Sequence, residues 1–235
     1  MIVTCARLCA DSYDDSAPGF TTVDDLRFGV FDTPVGTVIA IRGTANVDNW
    51  LTDASVWPKR SCGGYLAHAG FVDAYRELCA AGMPTTKGQS VIATGHSLGG
   101  AIATLLAEHT GCKLITFGSP RVYWRFGRAP LLQHTRVTRD DDPVQHLPKF
   151  CYSHRQPAMV LHDGDHYLLQ VEDHFMKGYI KALGTLALVG MLTGCAYNNT
   201  TITAQGDVNC TATVDKPTTV TPSLQADGNT VPLTP

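Results

Sequence analysis

A chain of 235 residues with 44% hydrophobic side chains can bury one sizeable core, or one domain with an appendage. Its formal net charge of -3 and the lack of a basic stripe exclude a nucleic-acid binder that works by electrostatic attraction. The eight cysteines follow no Cys-x-x-Cys or Cys/His ligand rhythm, which argues against a zinc site and leaves both disulfides and buried thiols open.

The stretch Met1 to Tyr13 carries Arg7 and Asp11 and has no long apolar centre, so it reads as an amphipathic first helix and not as a secretory signal. Cys5 and Cys9 lie one turn apart on it, as core thiols. Two β-branched and aromatic runs, Arg27 to Asp32 and Gly36 to Ile41, are separated by Thr33-Pro34-Val35 and read as a hairpin-like strand pair. The second runs into Arg42-Gly43-Thr44. A loop leaving a strand with Gly then Thr can aim a backbone N–H and a hydroxyl at one point, as a tetrahedral oxyanion requires; the simpler alternative is a loop with a structural glycine. Val47 to Asp53 then reads as a short helix with Trp50 and Leu51 facing the core. Ser55 to Ala67 mixes Trp57, Pro58, Tyr65 and Leu66 with Gly63-Gly64, the composition of a mobile flap with an apolar underside. His68 leads into a helix, Val72 to Ala81, and is expected to order the loops around the site.

The apolar run Val91-Ile92-Ala93 meets Thr94-Gly95-His96-Ser97-Leu98-Gly99-Gly100, and the helical stretch Ala101 to Ala107 comes next. A Gly-x-Ser-x-Gly between a strand and a helix is a nucleophile elbow, in which small residues let the backbone double back and lift the hydroxyl of Ser97 above the sheet edge. Cys112 to Phe117 is another buried strand, ending at Gly118-Ser119-Pro120. Strand, helix and strand in quick succession imply a right-handed crossover in a mostly parallel sheet, with the site at its carboxyl edge.

His134 to Thr138 is the next strand and enters Arg139-Asp140-Asp141-Asp142-Pro143. An acid leaving a strand end here can hold a histidine in one tautomer. Pro143 fixes the turn after Asp142 and makes that carboxylate the best placed of the three, although such runs are often solvated turns or cation-seeking loops. Ala158 to His174 holds His162, His166 and His174 among aspartates, so metal binding is a rival reading. No Glu-x-x-His or His-x-x-x-His pair sits in an amphipathic helix, however, and Gly164 reads as the turn of a hairpin, Met159 to His162 out and Tyr167 to Val171 back. His174, before the helix-forming Phe175 to Ile180, completes the order Ser, Asp, His; His166 is the runner-up for the base.

Ile41-Arg42-Gly43-Thr44, Asn49-Trp50-Leu51-Thr52-Asp53, His68-Ala69-Gly70-Phe71, the elbow, Phe117-Gly118-Ser119-Pro120-Arg121, Asp142-Pro143-Val144 and Asp173-His174 together resemble the class 3 lipases, the fungal-lipase-like branch of the α/β-hydrolases. The resemblance covers roughly Tyr13 to Leu183. It implies an α/β fold, a mostly parallel central sheet flanked by helices. It further implies Ser97 as nucleophile, Asp142 as acid and His174 as base, with Thr44 and the backbone N–H of Leu98 as the oxyanion hole. No metal or organic cofactor is implied. Short gaps between these residues and a small lid region set the chain apart from the larger members.

Beyond Phe175, Met176 to Lys181 reads as a basic n-region and Ala182 to Leu192 as an apolar core, before Leu192-Thr193-Gly194-Cys195. That pattern resembles a bacterial lipoprotein signal with its lipobox. The competing reading is a buried last helix. The sequence after Tyr197 is rich in Thr, Pro, Asn and Gly, the composition of a weakly structured tail. The expected organisation is a hydrolase domain over 1–183, an apolar or signal-like segment over 184–197 and a Thr/Pro-rich tail over 198–235. With no N-terminal signal the expected location is cytoplasmic, or membrane-associated through residues 178–197. The expected activity is serine carboxylic-ester hydrolysis on lipid or other acyl esters; the alternatives are an acyltransferase or thioesterase with the same triad, and a non-catalytic membrane lipoprotein on a hydrolase scaffold.

Overall fold

Alternating side chains on the apolar runs sort themselves onto two faces of a central sheet. The computed structural model describes residues 1–43, 57–85, 90–140, 142–149, 151–161 and 174–191, together with short strands over 202–204, 210–212, 223–226 and 229–232. After helix α1 (Ile2–Asp11), strands β1 (Phe20–Val23), β2 (Leu26–Thr33) and β3 (Gly36–Arg42) form an antiparallel meander. Beside β3 stand β6 (Val91–His96), β7 (Lys113–Phe117), β9 (His134–Arg139) and β11 (Ala158–Leu161), all parallel, so the strand order runs β1-β2-β3-β6-β7-β9-β11. Strands β12 (Ile202–Ala204) and β13 (Cys210–Ala212) extend that edge, and β14 (Ser223–Ala226) pairs with β15 (Asn229–Pro232).

Parallel strands covered on both faces must be apolar on both, which is why β3 and β6 read as continuous hydrophobic runs. Ile39, Ile41, Ala93 and Leu114 face helices α2 (Ala69–Ala80) and α3 (Leu98–Thr110). Val38, Ile92, Ile115, Phe117 and Val137 face α1 and the last helix, α4 (Met176–Met191). Helix α3 is buried almost all round and stops at Gly111, whose φ of 74° is the left-handed C-terminal stop that glycine allows without strain.

Two expectations change here. The stretch read as a flap forms β4 (Pro58–Arg60) and β5 (Leu66–His68), an antiparallel pair in a second small sheet with β8 (Tyr123–Trp124) and β10 (Tyr152–Ser153). Its turn is pinned by Glu108 of α3, whose carboxylate accepts hydrogen bonds from Ser61 Oγ at 2.5 Å, the Gly63 N–H at 2.7 Å and Tyr123 Oη at 2.9 Å. Of its described large hydrophobic side chains, Trp57, 78% exposed, is the one that faces solvent.

The lipoprotein-signal reading finds no support either. Met176, Tyr179, Ala182 and Leu183 recur at helical spacing, are buried and pack with Cys5, Ala6 and Cys9 of α1, whereas Lys177 and Lys181 face solvent. Those lysines are the wet side of an amphipathic core helix, which a linear scan for charge before hydrophobicity takes for a signal's n-region. No described helix is long and apolar enough to cross a membrane. The lipobox, Leu192 to Cys195, lies outside the described residues, as do the short helix expected over Val47 to Asp53 and the returning arm of the hairpin expected after β11.

Burial of several imidazoles makes stability depend on pH. His96 is held well below the ordinary 6.5, His134 at about 4 and His154 at about 3, in each case chiefly because burial disfavours the charged ring. Above pH 6.5 these rings are neutral in folded and unfolded chain alike. Below it the unfolded chain takes up protons that the folded chain refuses, so stability should fall by up to about 1.4 kcal/mol per pH unit for each histidine. Urea denaturation at intervals between pH 7 and pH 4 measures this; a flat profile would contradict it.

Candidate active site

The carboxyl edge of β6 sets the site. A Cβ on Gly95 would collide with the backbone of Gly99, and one on Gly99 with the carbonyl of Ile41, so the strand can turn into α3 only with glycine at both places. Between them Ser97 is forced to φ 56°, ψ -131°, strain of about 1–3 kcal/mol that the packed surroundings hold in place. Its N–H donates to the Phe117 carbonyl at 3.1 Å, tying the elbow to the end of β7. Its Oγ is buried and makes no hydrogen bond.

Asp142 lies beyond the end of β9 and is fully buried. Pro143 starts a 3-10 turn, and the Val144 N–H donates to Asp142 Oδ1 at 2.8 Å, so the turn residue singled out in the sequence does orient this carboxylate. His174, also fully buried, places Nδ1 at 3.0 and 2.9 Å from the two oxygens of Asp142. A carboxylate can only accept, so Nδ1 carries the hydrogen and Nε2 keeps its lone pair. Nε2 is the second buried polar atom of the site without a partner. Buried polar groups are rarely left unsatisfied, and these two, a hydroxyl that can donate and an imidazole lone pair that can accept, are complementary in the sense that general-base chemistry needs.

The ring of His174 stacks on that of His96, with centroids 4.4 Å apart and planes 29° from parallel, which brings the histidine to the residue preceding Ser97. His96 Nε2 donates to the His174 carbonyl at 2.6 Å, so its Nδ1, at 2.8 Å from Tyr13 Oη, accepts. Burial, then the neighbouring His174, keeps this ring neutral. The end of β3 reaches the same spot: a Cβ on Gly43 would lie 3.1 Å from Ser97 Cβ and 2.9 Å from the His96 carbonyl oxygen. Leu98 opens α3, whose first turn has no side-chain cap; the Gly100 and Ala101 N–H groups donate to the Ser97 carbonyl, which leaves the earlier ones, that of Leu98 first, to an anion.

Thr44, the other expected oxyanion donor, lies outside the described residues, as do Asp141, His162, His166 and Asp173. The structure therefore brings Asp142 and His174 together, stacks His174 on the residue preceding Ser97 and puts Gly43 next to Ser97. His68 is buried at the start of α2 against Phe71 and Tyr152. Among the described residues no cluster of His, Cys, Asp or Glu could hold a metal ion.

Sequence reading gave no role at the site to Gly118, Tyr13 or Tyr179. Gly118, at φ 52°, leaves room where a Cβ would lie 2.5 Å from Asp142 Oδ2, 2.8 Å from Tyr179 Oη and 3.1 Å from His174 Cε1. Gly118→Ala should therefore displace the acid and the histidine together and lower kcat/KM by about 10²-fold or more, with a lower Tm. Ester-hydrolysis kinetics alongside thermal melts measure both effects, and an alanine variant with ordinary turnover would rule out this crowding.

Residues 38–152 match the family model described as Lipase (class 3). The chain is 36% identical over 151 residues to the secreted mono- and diacylglycerol lipase 1 of Fusarium solani, covering 54% of this chain and 44% of that one. It is 31% identical over 162 residues to the secreted mono- and diacylglycerol lipase A of Penicillium cyclopium, covering 59% and 49%. It thus spans about half the length of these curated relatives. Among solved structures, the lipase of Rhizopus microsporus var. chinensis superposes with a TM-score of 0.56 at 22% identity, over 67% of this chain and 72% of that one. A propeptide complex of the Rhizomucor miehei lipase gives 0.56 at 22%, over 74% and 76%. At that identity the structures speak for the fold.

Proposed function

Since the chain belongs to the class 3 lipase family, we propose that it hydrolyses carboxylic esters, with acylglycerols as substrates, through an acyl-enzyme on Ser97. One observation carries the reading: the buried Asp142–His174 pair stacks on the residue preceding a strained, buried serine, and the partnerless polar atoms of these three side chains are Ser97 Oγ and His174 Nε2. In this reading His174 Nε2 takes the proton of Ser97 as Oγ attacks the ester carbonyl, and Asp142 holds the imidazolium that results. The Leu98 N–H and Thr44 receive the charge that develops on the carbonyl oxygen. His174 then returns the proton to the departing alcohol, and water repeats the attack on the acyl group. The preference for acylglycerols rests on the names of the curated relatives, and the unit assigned to the activity is residues 1–183.

A fluorophosphonate probe, which phosphonylates activated serines, tests the chemistry, and turnover of mono-, di- and triacylglycerols beside a series of p-nitrophenyl esters tests the substrate class. Stoichiometric labelling at Ser97 with release of fatty acid from acylglycerols is the expected result. A folded chain that resists the probe overturns the mechanism, and labelling without acylglycerol turnover overturns the substrate class.

A further inference from the structure

Helix α4 brings more to the site than an apolar face. Tyr179, fully buried, donates its hydroxyl hydrogen to Asp142 Oδ2 at 2.5 Å and accepts the Arg139 N–H at 3.3 Å. Burial and the neighbouring carboxylate hold this phenol well above its ordinary range, so it is protonated and can only be the donor toward Asp142. The carboxylate thus has one donor of its own on each oxygen, the Val144 N–H on Oδ1 and the phenol on Oδ2, besides His174 Nδ1 at 2.9 to 3.0 Å. Two points a few ångströms apart fix the plane of a carboxylate as a single one cannot.

The ring of Tyr179 also packs edge-on against Phe117, with centroids 6.1 Å apart, and against His96 at 5.9 Å. A phenylalanine would fill that space equally well. The hydroxyl is what distinguishes tyrosine here, and Gly118 keeps open the room in which hydroxyl and carboxylate meet, since a Cβ there would come within 2.8 Å of Oη.

We propose that Tyr179 is a positioning residue for the reaction: its hydroxyl locks the carboxylate of Asp142 in the plane that aligns His174, and draws to itself part of the negative charge that would otherwise face the imidazole. The proposal rests on the triad reading above. Removing the hydroxyl leaves the carboxylate free to rotate about its remaining backbone donor, which lowers kcat without touching the substrate-binding surface. It also concentrates the charge of Asp142 on His174, which favours the imidazolium, so the histidine protonates at higher pH and the acid limb of kcat/KM moves up.

The experiment compares pH profiles for p-nitrophenyl butyrate hydrolysis by the wild type, Tyr179→Phe, Asp142→Asn and the double variant. Leu183→Val, a buried change on the same helix, controls for packing. Tyr179→Phe is expected to lower kcat about 10-fold, to leave KM within about 2-fold and to raise the acid limb by about half a pH unit or more. In the Asp142→Asn background the same change should cost nothing further, because its effect runs through that carboxylate. Leu183→Val should lower Tm and leave the profile in place. Tyr179→Phe with a lowered Tm but wild-type kcat and acid limb overturns the proposal, as does equal loss in both backgrounds. A Tyr179→Phe chain that does not fold overturns it too, because one hydrogen bond is a small part of a domain's stability. If Ser97→Ala retains activity, the triad reading fails first; if Ser97→Ala is inactive and Tyr179→Phe is unchanged, only the role of Tyr179 falls.

Discussion

Replacing Ser97 with alanine is expected to remove ester hydrolysis almost completely, by about 10⁴-fold or more in kcat/KM, in a protein that still folds. The size of the loss reflects the division of labour. In the proposed mechanism His174 works on the Ser97 hydroxyl, and without Oγ no acyl-enzyme can form, so the remaining groups have no covalent step to serve. The fold is spared because Oγ makes no hydrogen bond and its removal leaves a methyl-sized side chain in the same backbone conformation. A second variant separates chemistry from strain. Ser97 sits at φ 56°, where glycine is at ease, so Ser97→Gly should be as inactive as Ser97→Ala yet melt at a higher temperature. Circular-dichroism melts together with hydrolysis assays read both quantities, and near-normal turnover by a folded Ser97→Ala protein would falsify the assignment of the nucleophile.

The elbow was legible in the sequence because everything that makes it is local: an apolar strand, a helix, and two glycines whose absent Cβ atoms let the backbone double back. Asp142 was legible for a related reason, since Pro143 shapes the turn that puts the Val144 N–H on the carboxylate. His174 was placed by chain order, and the structure brings it onto Asp142 from 32 residues away.

The misreadings share a cause, which is that partner residues far along the chain decided the outcome. Strands of three residues such as β4 and β5 carry too little periodicity to be seen, and it is Glu108, 47 residues beyond Ser61, that turns a Gly-rich loop into a pinned hairpin. Lysines with an apolar run behind them look alike in a signal and in an amphipathic core helix; only the cysteine-lined face of α1 tells them apart. Tyr179 lay inside that misread segment. Nothing within a few residues of it indicates a hydroxyl aimed at a carboxylate 37 positions earlier.

The most informative substitution after Ser97 is Asp142→Asn, because it is isosteric and its effect can be traced atom by atom. Asparagine offers one accepting oxygen and one donating NH₂ where aspartate offers two acceptors. The Val144 N–H, a backbone donor that cannot turn away, requires the amide oxygen at the Oδ1 position, which puts the NH₂ at Oδ2. There the Tyr179 hydroxyl can rotate to accept, but His174 Nδ1, 2.9 Å from that position and 3.0 Å from the oxygen that Val144 already engages, loses one of its two acceptors and meets a donor in its place. The amide NH₂ thereby favours the tautomer whose Nδ1 presents a lone pair and whose hydrogen sits on Nε2, the nitrogen proposed to take the proton of Ser97. The base is then present, stacked on His96 and in place, but in the wrong tautomer. The expected loss is on the order of 10⁴-fold in kcat, with KM little changed and a fold that melts normally. Asp140, half-buried in the turn just after β9, should tolerate the same change with activity close to wild type. Parallel kinetics on Asp142→Asn and Asp140→Asn decide the matter, since comparable losses in the two would mean that the turn built by Pro143 does not select the acid.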